Sequence, residues 1–145
     1  IKIIPSGNWV IDLQRFSEAI NNNVWSAART DMAMVGGITN CKKAMDISSI
    51  AGMNCEIMSW GYTLVSVANL HVMLASDNCT FYEQPLPYEM FEFGMKDVLR
   101  TSKDGYMHAP TKPGLGMEID WNKMKEKIIY QFYCDKSKNI GHVHA

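Results

Sequence analysis

Asn8, Asp31, the stretch Met58 to Trp60, and Glu83 are the residues whose types and placing could do chemistry. Each comes just after a short apolar run or closes one. Two carboxylates can take part in proton transfer, and carboxylate or amide oxygens are hard ligands for a cation. Plainer readings stand beside these. An Asp after a strand is as readily a turn or cap residue, and Asn8 behind Gly7 suits turn chemistry. Glu83, between Tyr82 and Gln84, is harder to dismiss, because a carboxylate at a strand end ahead of a proline has no capping work to do. On spacing alone these residues describe an acidic pocket and nothing finer.

Other reactive side chains point to structure. His142 and His144 could share a strand face and bind a metal, but a terminal segment that frays is the simpler reading. His71 falls in an apolar helix and reads as a satisfied core histidine. The eleven methionines read as core filling. Pro113-Gly114-Leu115-Gly116 lacks the Lys and Ser/Thr of a phosphate-binding loop. The four cysteines show neither C-x-x-C spacing nor the density of a disulfide scaffold, which predicts reduced thiols in a cytoplasmic protein.

The elements that must position these residues alternate. Ile1 to Ile4, Val24 to Ala28, Asn54 to Met58 and Thr80 to Tyr82 read as strands. Between them, Leu13 to Ile20 and a stretch from Thr39 or Asn40 to Ala51 read as helices, as does Thr63 to Ala75, which is apolar on most sides and so buried. This βαβαβαβ order predicts an α/β fold with a parallel sheet, in which chemistry sits beyond the carboxyl ends of the strands. Tyr106 to Ala109 reads as extended, and Asp120 can cap a helix carrying Trp121, Met124 and Ile128.

Composition agrees with a folded domain. The chain has 145 residues, 47% hydrophobic and 20% charged, with a net charge of −1. That balance fills a core and excludes disorder, and it gives no electrostatic footprint for nucleic acid. The longest apolar stretch, Leu64 to Ala75, is too short to span a bilayer. Residues 1–93 carry net −4 and residues 94–145 net +3. Gly94 is therefore a candidate boundary between 1–93 and 94–145, although a solvated basic helix accounts for the shift equally well.

The order of segments resembles a known family. Asp31 followed by Gly36-Gly37-Ile38-Thr39, then Asn69-Leu70-His71, Phe81-Tyr82-Glu83, Asp104-Gly105 and Pro113 to Asp120 are similar to the enolase superfamily, in the subgroup of mandelate racemase and the acid-sugar dehydratases. The resemblance covers nearly the whole chain. It implies the C-terminal part of a (β/α)₈ barrel, about strands five to eight, in residues 1–93. Residues 94–145 resemble the return into the capping α+β domain. A complete barrel needs about 250 residues. The resemblance therefore also implies that the strands bearing two metal carboxylates and a lysine base lie elsewhere, and that this segment alone is inactive.

The implied activity is Mg²⁺-dependent removal of a proton alpha to a carboxylate. Asn8 falls where the family often has a third metal-ligating Glu, so an amide oxygen replaces a charged one. Asp31 matches the aspartate that orients a catalytic His in many relatives. Met58 stands at that His position, in Glu56-Ile57-Met58-Ser59-Trp60-Gly61, and a thioether accepts no proton at neutral pH. Met58 and Trp60 are thus expected to contact substrate. Glu83 matches the carboxyl group that hydrogen-bonds the substrate carboxylate as it becomes an enediolate. With the His–Asp dyad broken, one-base syn elimination survives while racemisation, which needs a group on each face, does not. The expectation is an acid-sugar dehydratase, a lyase forming a homo-oligomer, with no nucleic-acid or membrane partner. The alternatives are a racemase or cycloisomerase of the same superfamily, and a non-catalytic fragment with an interaction role.

Overall fold

Helix α1 (Leu13–Asn21) begins where Asp12 accepts the Arg15 N–H at 2.9 Å, and it buries Phe16 and Ile20, one turn apart on a single face. In this computed structural model the backbone is described for residues 1–6, 10–135 and 140–144, and side chains for residues 1–6 and 10–130. Strand β1 (Ala28–Thr30), helix α2 (Ile38–Ile50), strand β2 (Cys55–Ile57) and helix α3 (Thr63–Leu74) follow. A 3₁₀ turn (Tyr88–Met90), a short helix α4 (Trp121–Lys125) and a hairpin of β3 (Gln131–Asp135) with β4 (Ile140–His144) complete the elements. No helix among the described residues is long and apolar enough to cross a membrane.

β1 and β2 pair in parallel, Ala28 opposite Cys55 and Thr30 opposite Ile57, joined through α2 as a crossover unit requires. Phe16, Ile20, Ala28, Cys41, Ala44, Met45, Cys55 and Ile57 form one buried cluster between this pair and the helices. α3 is apolar nearly all round and buries Val67, Ala68, Asn69, Leu70 and Val72. A second cluster joins Val67 and Leu70 to Leu99, with Tyr82, Met107, Leu115 and Met117 packed against it. Residues on both sides of Gly94 thus share one core. Gly94 itself (φ 71°) lies so close to Met124 that a Cβ would collide with its sulfur.

Several expectations are corrected. Ile1 to Ile4 is not a strand, because only Ile3 is joined: its carbonyl accepts from Ser26 N at 2.8 Å and its N–H donates to the Ser26 hydroxyl. The strand expected over Val24 to Ala28 lies further on, at Ala28–Thr30, since Trp25 is turned onto Phe16 and Ser26 onto Ile3. Thr80 to Tyr82 is not a strand either. The Thr80 and Phe81 N–H groups donate to Glu56 Oε2, at 3.0 and 3.1 Å, where a ladder would offer backbone carbonyls. Helix α2 starts after Gly37 with no side-chain cap, and Asn40 instead donates to the Val35 carbonyl at 2.8 Å. Tyr106 to Ala109 joins no strand, and α4 stops at Lys125, short of Ile128. The cap on α4 is as expected: Asp120 accepts from Asn122 N and Lys123 N.

Candidate functional site

The parallel register carries two of the singled-out residues to one place. Thr30 and Ile57 are opposite each other, so Asp31 and Met58 are the next residues at the same end of β1 and β2. Met58 N–H continues the ladder to the Thr30 carbonyl at 2.9 Å.

A side chain from α3 fixes both strand ends. Asp31 is 2% exposed, and its Oδ1 accepts from Ala33 N at 3.0 Å and from Asn69 Nδ2 at 2.9 Å. Asn69 Nδ2 also donates to the Met58 carbonyl at 3.2 Å, while its Oδ1 accepts from Met32 N at 2.9 Å. The amide, itself fully buried, spends its bonds on the two loops that follow the strands. A buried polar residue in an apolar helix must find partners of this kind.

Glu83 is held from two sides. The buried Ser59 hydroxyl donates to the Glu83 carbonyl at 2.7 Å and accepts from Glu83 N at 3.1 Å, so the residue after Met58 sets the backbone of Glu83. Ser59 is steadied in turn by Ser66 of α3, whose hydroxyl donates to its carbonyl at 2.7 Å. The Glu83 carboxylate forms an ion pair with Nη2 of Arg29, in the middle of β1. Arg29 retains 21% side-chain exposure and Glu83 37%. Arg29 Nε is buried with no hydrogen-bond partner among the described residues, as is the Tyr82 hydroxyl, whose pKa burial raises.

Asp31, Met58 and Glu83 are thus brought together by Asn69, Ser59 and Arg29. Trp60 sits further along the same loop, 55% exposed, its ring tilted against Phe91 with centroids 5.5 Å apart. Asn8 lies outside the described residues. His71 Nε2 donates to the Leu115 carbonyl, 3.2 Å away, the satisfied role its position suggested. Arg29 and Asn69 were given no role in the sequence, and Ser59 stood in the Met58 to Trp60 stretch without one of its own. An Asn inside an apolar helix was a legible signal, whereas an Arg in a three-residue strand was not.

Among the described residues the thiols take no part. Burial pushes Cys41 and Cys55 up to about 12 and Cys79 to about 11, so none is a thiolate near neutral pH. Among the described residues no group of three or more His, Cys, Asp or Glu could hold a metal ion. An amide oxygen such as that of Asn8 is a hard ligand of the kind Mg²⁺ takes.

The family described as Enolase C-terminal domain-like matches residues 4–123. A provisionally named mandelate racemase/muconate lactonizing enzyme from Pseudovibrio sp. is 42% identical with a TM-score of 0.87, over 99% of this chain and 36% of that one. D-glucarate dehydratase from Agrobacterium tumefaciens, solved complexed with magnesium, is 29% identical with a TM-score of 0.75, over 87% of this chain and 33% of that one. A D-galactonate dehydratase family member from Salmonella virchow is 29% identical over 122 residues, 81% of this chain and 28% of the relative. The chain spans about a third of the length of such relatives.

Proposed function

This chain belongs to the Enolase C-terminal domain-like family, and we propose that it supplies about strands five to eight of the barrel to a Mg²⁺-dependent acid-sugar dehydratase. In this reading residues 1–93 form the barrel portion and residues 94–145 the return toward the capping domain. The observation that carries it is the single rim formed by Asp31, Met58 and Glu83, with Arg29 paired to Glu83. It is supported by the dehydratases among the relatives.

The reaction removes the α-proton of a hydroxy acid, moves that electron pair toward the carboxylate, and expels the β-hydroxyl with a proton as water. The resulting enol tautomerises to a 2-keto acid. Mg²⁺, when bound with Asn8 among its oxygen ligands, supplies positive charge where the enediolate develops. The Arg29–Glu83 pair lines the place of the substrate carboxylate, and Trp60 offers an exposed ring to the sugar chain. Asp31, fixed by Asn69, holds a carboxylate at the base of the site. Met58 puts a thioether where a second base would stand, so the proton leaves from the other face. That favours dehydration over the racemase or cycloisomerase reading. The protein assembles as a homo-oligomer in this proposal.

The test is deuterium incorporation at the α-carbon, from D₂O, across a panel of hexonic and hexaric acids, using the full-length protein with and without Mg²⁺. Metal-dependent exchange or dehydration of one acid is expected. Metal-independent exchange would reject the Mg²⁺-dependent mechanism, and no exchange across the panel would reject the proposal in favour of a non-catalytic role.

A further inference from the structure

The ion pair between Arg29 and Glu83 bears on which of the two touches the substrate. A carboxylate paired with a guanidinium is ionised, and an ionised carboxylate only accepts hydrogen bonds. It has no proton to donate to an enediolate oxygen, and its own charge repels a substrate carboxylate. The guanidinium has what the oxyanion needs: a permanent positive charge and five N–H groups in a planar fork. Nη2 pairs with Glu83, Nε is buried without an acceptor among the described residues, and the side chain keeps 21% of its surface open. It belongs to the strand that Asp31 follows, and its ion pair with Glu83 sets it at the same rim.

We propose that Arg29 is a catalytic residue that donates to the substrate oxyanion, and that Glu83 is a positioning residue that aims it. Ser59 completes the arrangement, since its two bonds to the Glu83 backbone fix where the counter-charge stands. The assignment rests on the dehydratase reading for the identity of the oxyanion.

The probe is oxalate, a planar dianion shaped like an enediolate, titrated calorimetrically into the Mg²⁺-loaded full-length protein. Arg29→Met is expected to weaken oxalate binding about 10- to 100-fold, the range for losing charge-assisted hydrogen bonds. Glu83→Gln is expected to keep oxalate affinity within about threefold of wild type, because the guanidinium remains. Its kcat for the acid sugar should fall, because the fork is no longer aimed. Arg29→Gln replaces Arg29→Met if circular dichroism shows the latter unfolded. Unchanged oxalate affinity without Arg29, equal losses in the Arg29 and Glu83 variants, or full kcat in Glu83→Gln would each overturn the assignment. Oxalate binding needs no turnover, so a failed assignment is distinguishable from a failed dehydratase reading, which the wild-type exchange experiment decides.

Discussion

Asn69 and Asp31 are joined by a 2.9 Å hydrogen bond between two buried side chains 38 residues apart, one on a helix and one at a strand end. In many relatives, by the resemblance drawn from the sequence, an aspartate at this point supports a histidine. Here the amide of Asn69 occupies one oxygen of the carboxylate, and Met58 meets Asn69 through its main chain.

Removing that amide should be costly. Asn69→Leu leaves Asp31 Oδ1 short of a donor and Met32 N–H without an acceptor, both in buried surroundings. A loss of about 2–4 kcal/mol in unfolding free energy is expected, from one unpaired amide and one under-solvated carboxylate. Urea denaturation of the full-length variant measures it, and a loss well below 1 kcal/mol would mean that water reaches the site.

Glu56 is a second structural carboxylate. Its Oε2 accepts the N–H groups of Thr80 and Phe81, and the Cys79 thiol lies 3.5 Å away. Glu56→Leu should destabilise by about 2–4 kcal/mol through two unpaired amides, and Glu56→Gln by less, since its carbonyl still accepts. Hydrogen exchange at Thr80 and Phe81 should accelerate in the leucine variant before the rest of the protein changes.

Met58→His tests the missing base directly. Asp31 Oδ1 takes both donors from the protein, which leaves Oδ2 as the free acceptor among the described residues for an imidazole N–H. The variant should gain α-proton exchange from the second face of a slowly processed acid sugar, read as deuterium at the α-carbon of recovered substrate. Met58→Ala should change KM more than kcat, because it alters the pocket wall without touching a charged group.

Stability should fall in alkali. Burial raises Cys41 and Cys55 from about 9.0 to about 12, so the folded state keeps protons that the unfolded chain releases. Their contribution is complete below about pH 9 and is lost progressively as pH rises toward 12, at up to about 1.4 kcal/mol per pH unit for each thiol. Urea midpoints under reducing conditions at about pH 8 and pH 10 measure the slope, and the double variant Cys41→Ala/Cys55→Ala should flatten it.

The helices were the most legible part of the sequence. Leu13, Phe16 and Ile20 repeat at helical spacing, and Thr63 to Ala75 is apolar on most sides, so periodicity alone placed α1 and α3. The strands were less so. Two of the four expected runs have the composition of strands, yet they spend their N–H groups on the side chains of Ser26 and Glu56, and no local pattern encodes such a distant partner. In the site, strand-end placement brought Asp31, Met58 and Glu83 forward, because position relative to an apolar run is local information. Arg29 stayed hidden because its meaning depends on Glu83, 54 positions later and one strand removed.

Among the described residues the hydrogen bonds of Met58 all come from its peptide groups, its N–H on Thr30 and its carbonyl on Asn69. The side chain at this position is therefore a socket: its occupant can be exchanged without disturbing the strand end, the neighbouring carboxylate or the helix behind them. A mutation there leaves the hydrogen bonds that fix the strand end in place. Divergence of activity within such a scaffold can proceed at this position one residue at a time, through intermediates that all fold.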